Sequence, residues 1–215
     1  WLLSVAVGLL AFPLVYGVCR RLPDKGYSAA KAIGIVVVTY FVWLLPSLRL
    51  VPFGLLAMAM ALSFLALFSL AAIIWGPKFT RRDFPIGPAV LSELVGAAGF
   101  GFLVWMLWHR PDIYSGQLED FANFGFIQSI HRSAYFPPQD PWFAGRSLPY
   151  YYGGHLIVAW MGRISGVSPE IAFNLGSATF FALTASLSFG LGYNLTKKVA
   201  YGFLASLLMA FLGYI

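Results

Sequence analysis

Charge is scarce in this sequence. Lys, Arg, Asp and Glu together make up 10% of its 215 residues, where a soluble globular domain carries about 25%. Cysteine is nearly absent: Cys19 stands alone, which excludes an internal disulfide and a cysteine metal cluster. It reads as a small apolar residue at a span end. There is no Walker-type glycine loop, no HExxH pair and no serine in a GxSxG setting, so the common nucleotide, zinc and serine-hydrolase signatures are missing. No run of basic residues interleaved with aromatics stands in an exposed segment, so the net charge of +6 does not point to nucleic acid. Lysines and arginines beside apolar spans set orientation and meet anionic lipid instead.

What is there is apolar. Hydrophobic residues make up 60% of the chain and mean hydropathy is +0.77. A helix needs about 20 apolar residues to cross the hydrocarbon, so the expectation is an all-α, polytopic membrane protein with six to seven transmembrane helices. The apolar runs are 1–19, 32–48, 53–75, 89–108, 150–164, 171–195 and 199–215. Residue 1 is Trp rather than Met, and both ends fall inside apolar runs, which reads as a piece of a longer chain or a processed product. Three parts result: a four-span module (1–108), a polar loop with an interfacial helix and a Pro-rich segment (109–149), and C-terminal spans (150–215).

Alternating the loops across a bilayer places Arg20, Arg21, Lys25, Lys31, Lys78, Arg81, Arg82 and Arg163 on one side. Arg49, Arg110, Arg132, Arg146, Lys197 and Lys198 fall on the other. Early basic loops dominate orientation, so the first side is expected to be cytoplasmic and residues 109–149 extracytoplasmic. Lys197 and Lys198 then break the rule, or the span count fails near the fifth run.

The segment 117–155 organises the chain. It is the long stretch too polar to cross, and it holds three of the eight acidic residues and two of the three histidines. Residues 118–133 can form a helix lying at the membrane interface. On it Asp120, Ile127 and His131 share a face, with Asn123 one turn from Asp120. Asp120 and His131 would be about 16 Å apart, too far for one catalytic pair. Residues 135–147 form a rigid loop set by Pro137, Pro138 and Pro141. There Asp140 either caps a turn as an Asx residue or is delivered to a site. Tyr150, Tyr151 and Tyr152 open the fifth run as interfacial anchors. Tyr151 and His155, four apart, would share a helix face able to offer hydroxyl and imidazole to a phosphate or sugar; a buried, satisfied His155 is the other reading. Glu93 is the one carboxylate inside an expected span, and snorkelling or pairing with Arg81 or Arg82 accounts for it.

Asp120-Phe121-Ala122, Tyr135-Phe136-Pro137-Pro138, Asp140-Pro141-Trp142, Ala144-Gly145 and Tyr150-Tyr151-Tyr152 with Gly154-His155 together resemble the YYY family of polytopic membrane proteins, named for its triple tyrosine. Asn174 and the first loop, Pro23-Asp24-Lys25-Gly26-Tyr27 with Lys31, fit as well. That family resembles the C-type glycosyltransferases, which draw on a sugar linked to a polyprenyl phosphate. The resemblance implies that an acidic residue early in the first large external loop, by position Asp120, is the catalytic base or a metal ligand. Substrate would then meet Asn123, His131, Arg132, Asp140, Trp142, Arg146, Tyr151, Tyr152 and His155, with Arg132, Arg146 or His155 offsetting the leaving phosphate. A divalent cation, Mg²⁺ or Mn²⁺, would rest on Asp120 and Asp140, with Glu119 adjacent. The implied partners are the bilayer, the polyprenyl-phosphate sugar and an acceptor. The competing expectation is a non-enzymatic membrane subunit or a flippase-like carrier, in which Glu93 and the small-residue sixth run would matter more than Asp120.

Overall fold

The computed structural model describes residues 1–78, 80, 83–111 and 118–212. Among them the regular structure is helical: α1 (Leu2–Cys19), α2 (Tyr27–Ser47), α3 (Leu55–Trp75), α4 (Ile86–His109), α5 (Leu118–Arg132), α6 (Gly153–Ser165), α7 (Pro169–Thr196) and α8 (Val199–Phe211). Five of these, α1 to α4 and α7, are long and apolar enough to cross a membrane. The chain packs as two compact units, residues 1–35, 65–105 and 178–215 in one and 36–64 and 106–177 in the other.

In the first unit, Phe12, Tyr16, Tyr27 and Ala30 form a buried cluster with Phe84 packed on it. Lys25 and Gly26 take positive φ (56° and 82°) in the turn before α2. Asp24 lets that helix begin early. Its Oδ1 accepts the Gly26 N–H at 2.9 Å and its Oδ2 the Ser28 N–H at 3.1 Å, satisfying donors that a helix start leaves orphaned. The expected span at 32–48 therefore starts at Tyr27, and Lys31, expected in the loop, lies inside the helix with 2% exposure. The Asp24 N–H also donates to Asn194 Oδ1 at 3.0 Å. This bond sets the C-terminal end of α7, followed by Lys197 and Lys198, beside the α1–α2 loop.

In the second unit, the fifth apolar run forms α6. It has 13 residues, about 20 Å of helix, against a hydrocarbon thickness of about 30 Å. Gly166, left-handed at φ 69°, ends it, and its N–H bonds Arg163 O, a common helix stop. Pro169 then opens α7, where a missing N–H costs nothing. The helices α6 and α7 fold back on each other, with Gly162 against Ala172 and Gly176 against Val158. Both ends of α6 meet the α2–α3 end of the neighbouring helices. The Trp43 indole donates to the Tyr152 hydroxyl at 3.0 Å, and Arg163 donates to Phe53 O at 3.3 Å. Trp160, fully buried, bonds Thr39 Oγ1 at 2.9 Å.

With α6 shorter than a span, alternating the loops would move Arg163 out of the first group and Lys197 and Lys198 into it. Eight against six would become nine (8 − 1 + 2) against five (6 + 1 − 2), counted over the same fourteen residues. Leu156, Val158, Ala159 and Trp160 of α6 are buried within the protein.

Candidate functional site

The helix expected from residue 118 is present as α5, and it presents two polar faces. Aromatic and core contacts fix its rotation. Ile127 and Ile130 are buried, and Phe126 is ringed by Trp142, Tyr150 and His155 at centroid distances of 5.3, 5.0 and 5.2 Å. The side toward α6 carries Asn123, whose Oδ1 lies 2.9 Å from His155 Nε2. With the amide oxygen as acceptor, Nε2 holds the ring proton and Nδ1 is left as an acceptor. That Nδ1 is buried without a hydrogen-bond partner among the described residues, as is His131 Nε2. Burial holds the His155 imidazole below its ordinary pKa. Burial, then the Arg163 guanidinium, does the same for His131, with Glu170 pulling the other way. Both rings are therefore set to be neutral at pH 7. Asp120 is half-buried one turn before Asn123.

About a quarter turn round α5 lies a groove of about 920 Å³, closed on its far side by the loop that follows the helix. Phe121, Gln128 and Arg132 line it from α5, and Gln139, Asp140 and Trp142 from the loop. Side chains tie the loop to the helix: Ser129 Oγ donates to Gln139 O, and Ser133 Oγ to Ser129 O at 2.9 Å. The loop also pairs with itself through Asp140 N–H to Arg146 O and Leu148 N–H to Pro138 O, each 2.8 Å. Asp140 is the turn cap of the two alternatives, its Oδ1 accepting the N–H groups of Trp142 at 2.8 Å and Phe143 at 3.1 Å. Trp142 settles against Gly125, where an added Cβ would meet the indole at 2.9 Å.

The expected site residues thus divide. Asn123 and His155 meet between α5 and α6, with Asp120 one turn before Asn123 and His131 two turns beyond it, while Arg132, Asp140 and Trp142 stand on the groove. Arg146 is exposed and joins through its backbone. The triple tyrosine departs from expectation. Since α6 starts at Gly153, Tyr151 shares no helix face with His155; it is 82% exposed and stacks on Tyr150 at 4.2 Å. Tyr152 is spent on Trp43. Among the described residues no three His, Cys, Asp or Glu side chains gather, and Asp140 of the expected pair of ligands is engaged as a turn cap.

Glu93 pairs otherwise than expected. Its Oε1 accepts from the Lys31 ammonium and from the Tyr27 hydroxyl, the latter at 3.0 Å; Arg81 and Arg82 lie outside the described residues. The Lys31 stem crosses α1 at Gly8, where any Cβ would overlap it. Sequence reasoning missed this pair by starting α2 too late. The signal for it was in Asp24, four residues before Ser28.

These features define an all-helical, multi-pass membrane protein with a polar, partly buried surface built on α5. The chain belongs to the family described as uncharacterized membrane protein (DUF2298), whose model matches residues 37–215. No curated protein and no solved structure matches it.

Proposed function

We propose that this protein is a membrane glycosyltransferase that moves a sugar from a polyprenyl phosphate to an acceptor hydroxyl, with Asp120 as general base. The observation that carries the reading is the Asn123–His155 contact beside Asp120. It joins an amide on α5, one turn from the Asp120 carboxylate, to an imidazole on α6, and His155 Nδ1 is buried without a hydrogen-bond partner among the described residues. Buried polar atoms of that kind are costly unless a ligand or water meets them. In the reaction the acceptor oxygen bonds the anomeric carbon, Asp120 takes its proton, and the carbon–oxygen bond to phosphate breaks with its electrons leaving on the phosphate. His155 Nδ1 accepts from a sugar hydroxyl. A polyprenyl donor keeps its phosphate at the membrane interface, the depth at which an amphipathic α5 lies.

General-base catalysis contributes about 10²–10⁴-fold. Asp120→Asn should lower transfer from a polyprenyl-phosphate sugar by that order in the full-length protein, with expression and melting temperature kept. A rate equal to wild type, with only a small loss of stability, would make Asp120 a helix cap and end the catalytic claim. The nine-to-five basic asymmetry supports a cytoplasmic α1–α2 loop and an extracytoplasmic α5 in the cell membrane. In a Cys19→Ala background, Ser147→Cys should react with an impermeant thiol reagent in intact cells and Lys197→Cys only after lysis; the reverse pattern inverts the topology.

A second reading, a carrier of lipid-linked material, draws on the Lys31–Glu93–Tyr27 cluster, because ionisable groups inside spans often mark transport paths. It requires Lys31→Met to abolish translocation while Asp120→Asn leaves it intact.

A further inference from the structure

We propose that the groove between α5 and the 133–144 loop is a saccharide-binding site, separate from the Asp120 face. Calling it the acceptor's site rests on the transferase reading; its affinity for a saccharide does not. Three features argue for this ligand class. The groove, about 920 Å³, falls within the size of pockets that enclose small ligands, about 300–1,000 Å³, and fits a few sugar rings. Its lining alternates flat aromatic surface, from Phe121, Tyr135 and Trp142, with side chains that both donate and accept, from Gln128, Ser129 and Gln139. A pyranose presents the same two textures, an apolar C–H face and a rim of hydroxyls. A lipid chain would offer nothing to these polar side chains, of which Gln128 already donates to Glu170 at 3.2 Å.

The third feature is how Trp142 is held. Its indole remains 53% exposed although the loop around it is tied down at both ends. Asp140 fixes its backbone N–H, Phe126 meets the ring edge-on at 87°, and Gly125 leaves room for the ring to lie against α5. A large aromatic side chain fixed on three sides and open on the remainder is a platform with little entropy left to lose on binding. Asp140 is then a positioning residue for Trp142, and Gly125 is the complementary one on the helix. Arg132 stands at the end of the same helix face and gives the groove a cation.

The test uses the full chain in lipid nanodiscs with no donor present. Three probes are offered: a gluco-, a manno- and an N-acetylglucosamine-type tetrasaccharide, with binding read by saturation-transfer NMR and titration. At least one should bind saturably. Trp142→Ala should weaken it at least tenfold, Gly125→Ala should weaken it less, and Trp142→Phe should restore most of the loss. Absence of saturable binding by all three probes overturns the proposal, as does binding indifferent to Trp142→Ala. Displacement by an unrelated peptide but not by a second saccharide also overturns it. Asp120→Asn separates the two readings: saccharide binding kept with transfer lost supports both, while binding kept with transfer also kept leaves the groove standing and removes the catalytic role.

Discussion

Two buried polar clusters can be set side by side, one in each unit. The Lys31–Glu93–Tyr27 cluster places an ion pair inside helices that qualify as spans: ammonium and hydroxyl converge on Glu93 Oε1, while Oε2 is buried without a hydrogen-bond partner among the described residues. The Lys31 ammonium also lies over the Tyr27 ring, 5.6 Å from its centroid. The Asn123–His155 cluster carries no charge pair. It places neutral rings against α5 and leaves His155 Nδ1 and His131 Nε2 without partners among the described residues. The difference teaches how to weigh buried polarity. A charge in an apolar medium must find its counter-charge within the protein, so Lys31 and Glu93 hold each other as an ion pair even with one carboxylate oxygen unmet. Neutral polar atoms can stay unmet at lower cost, so the second can remain available to a ligand.

Removing one member of the charged cluster is the largest expected effect. Lys31→Met leaves Glu93 unpaired and should cost about 3–5 kcal/mol, read as a lowered unfolding midpoint in detergent. The double change Lys31→Met with Glu93→Leu should recover most of that loss. A single variant as stable as wild type but inactive would erase the contrast, making the charged cluster functional. A smaller effect follows from the imidazoles. Both have folded pKa values below the ordinary one, so they favour the folded state when neutral. Their contribution is fully present above about pH 6.5, the unfolded value, and is lost as pH falls through 6.5 toward the folded values. Melting curves between pH 8 and pH 5 should show this decline, and His155→Gln with His131→Gln should flatten it. An unchanged slope in the double variant would show that these rings are not what titrates.

Much of this architecture was legible from composition alone. Long apolar runs made α1 to α4 and α7 readable as helices, since no alternative satisfies their backbone in lipid. The polar run from 118 gave α5 by the same local logic, and the prolines around Asp140 marked its turn. Boundaries and pairings were not legible. Asp24 starts α2 at Tyr27 through hydrogen bonds whose other terms lie in the turn, and its backbone partner Asn194 is 170 residues away.

What the sequence by itself determined is the class: a helical membrane protein with its chemistry-bearing residues concentrated between 117 and 155. Tertiary structure alone decided that α6 stays short, that Glu93 pairs with Lys31, and that the candidate residues divide between two faces of α5. The physical reason is that hydropathy records how apolar a segment is but not what covers it. Trp160 and Leu156 are buried inside the protein, Trp160 bonded to Thr39, and only the packed chain reveals what covers them.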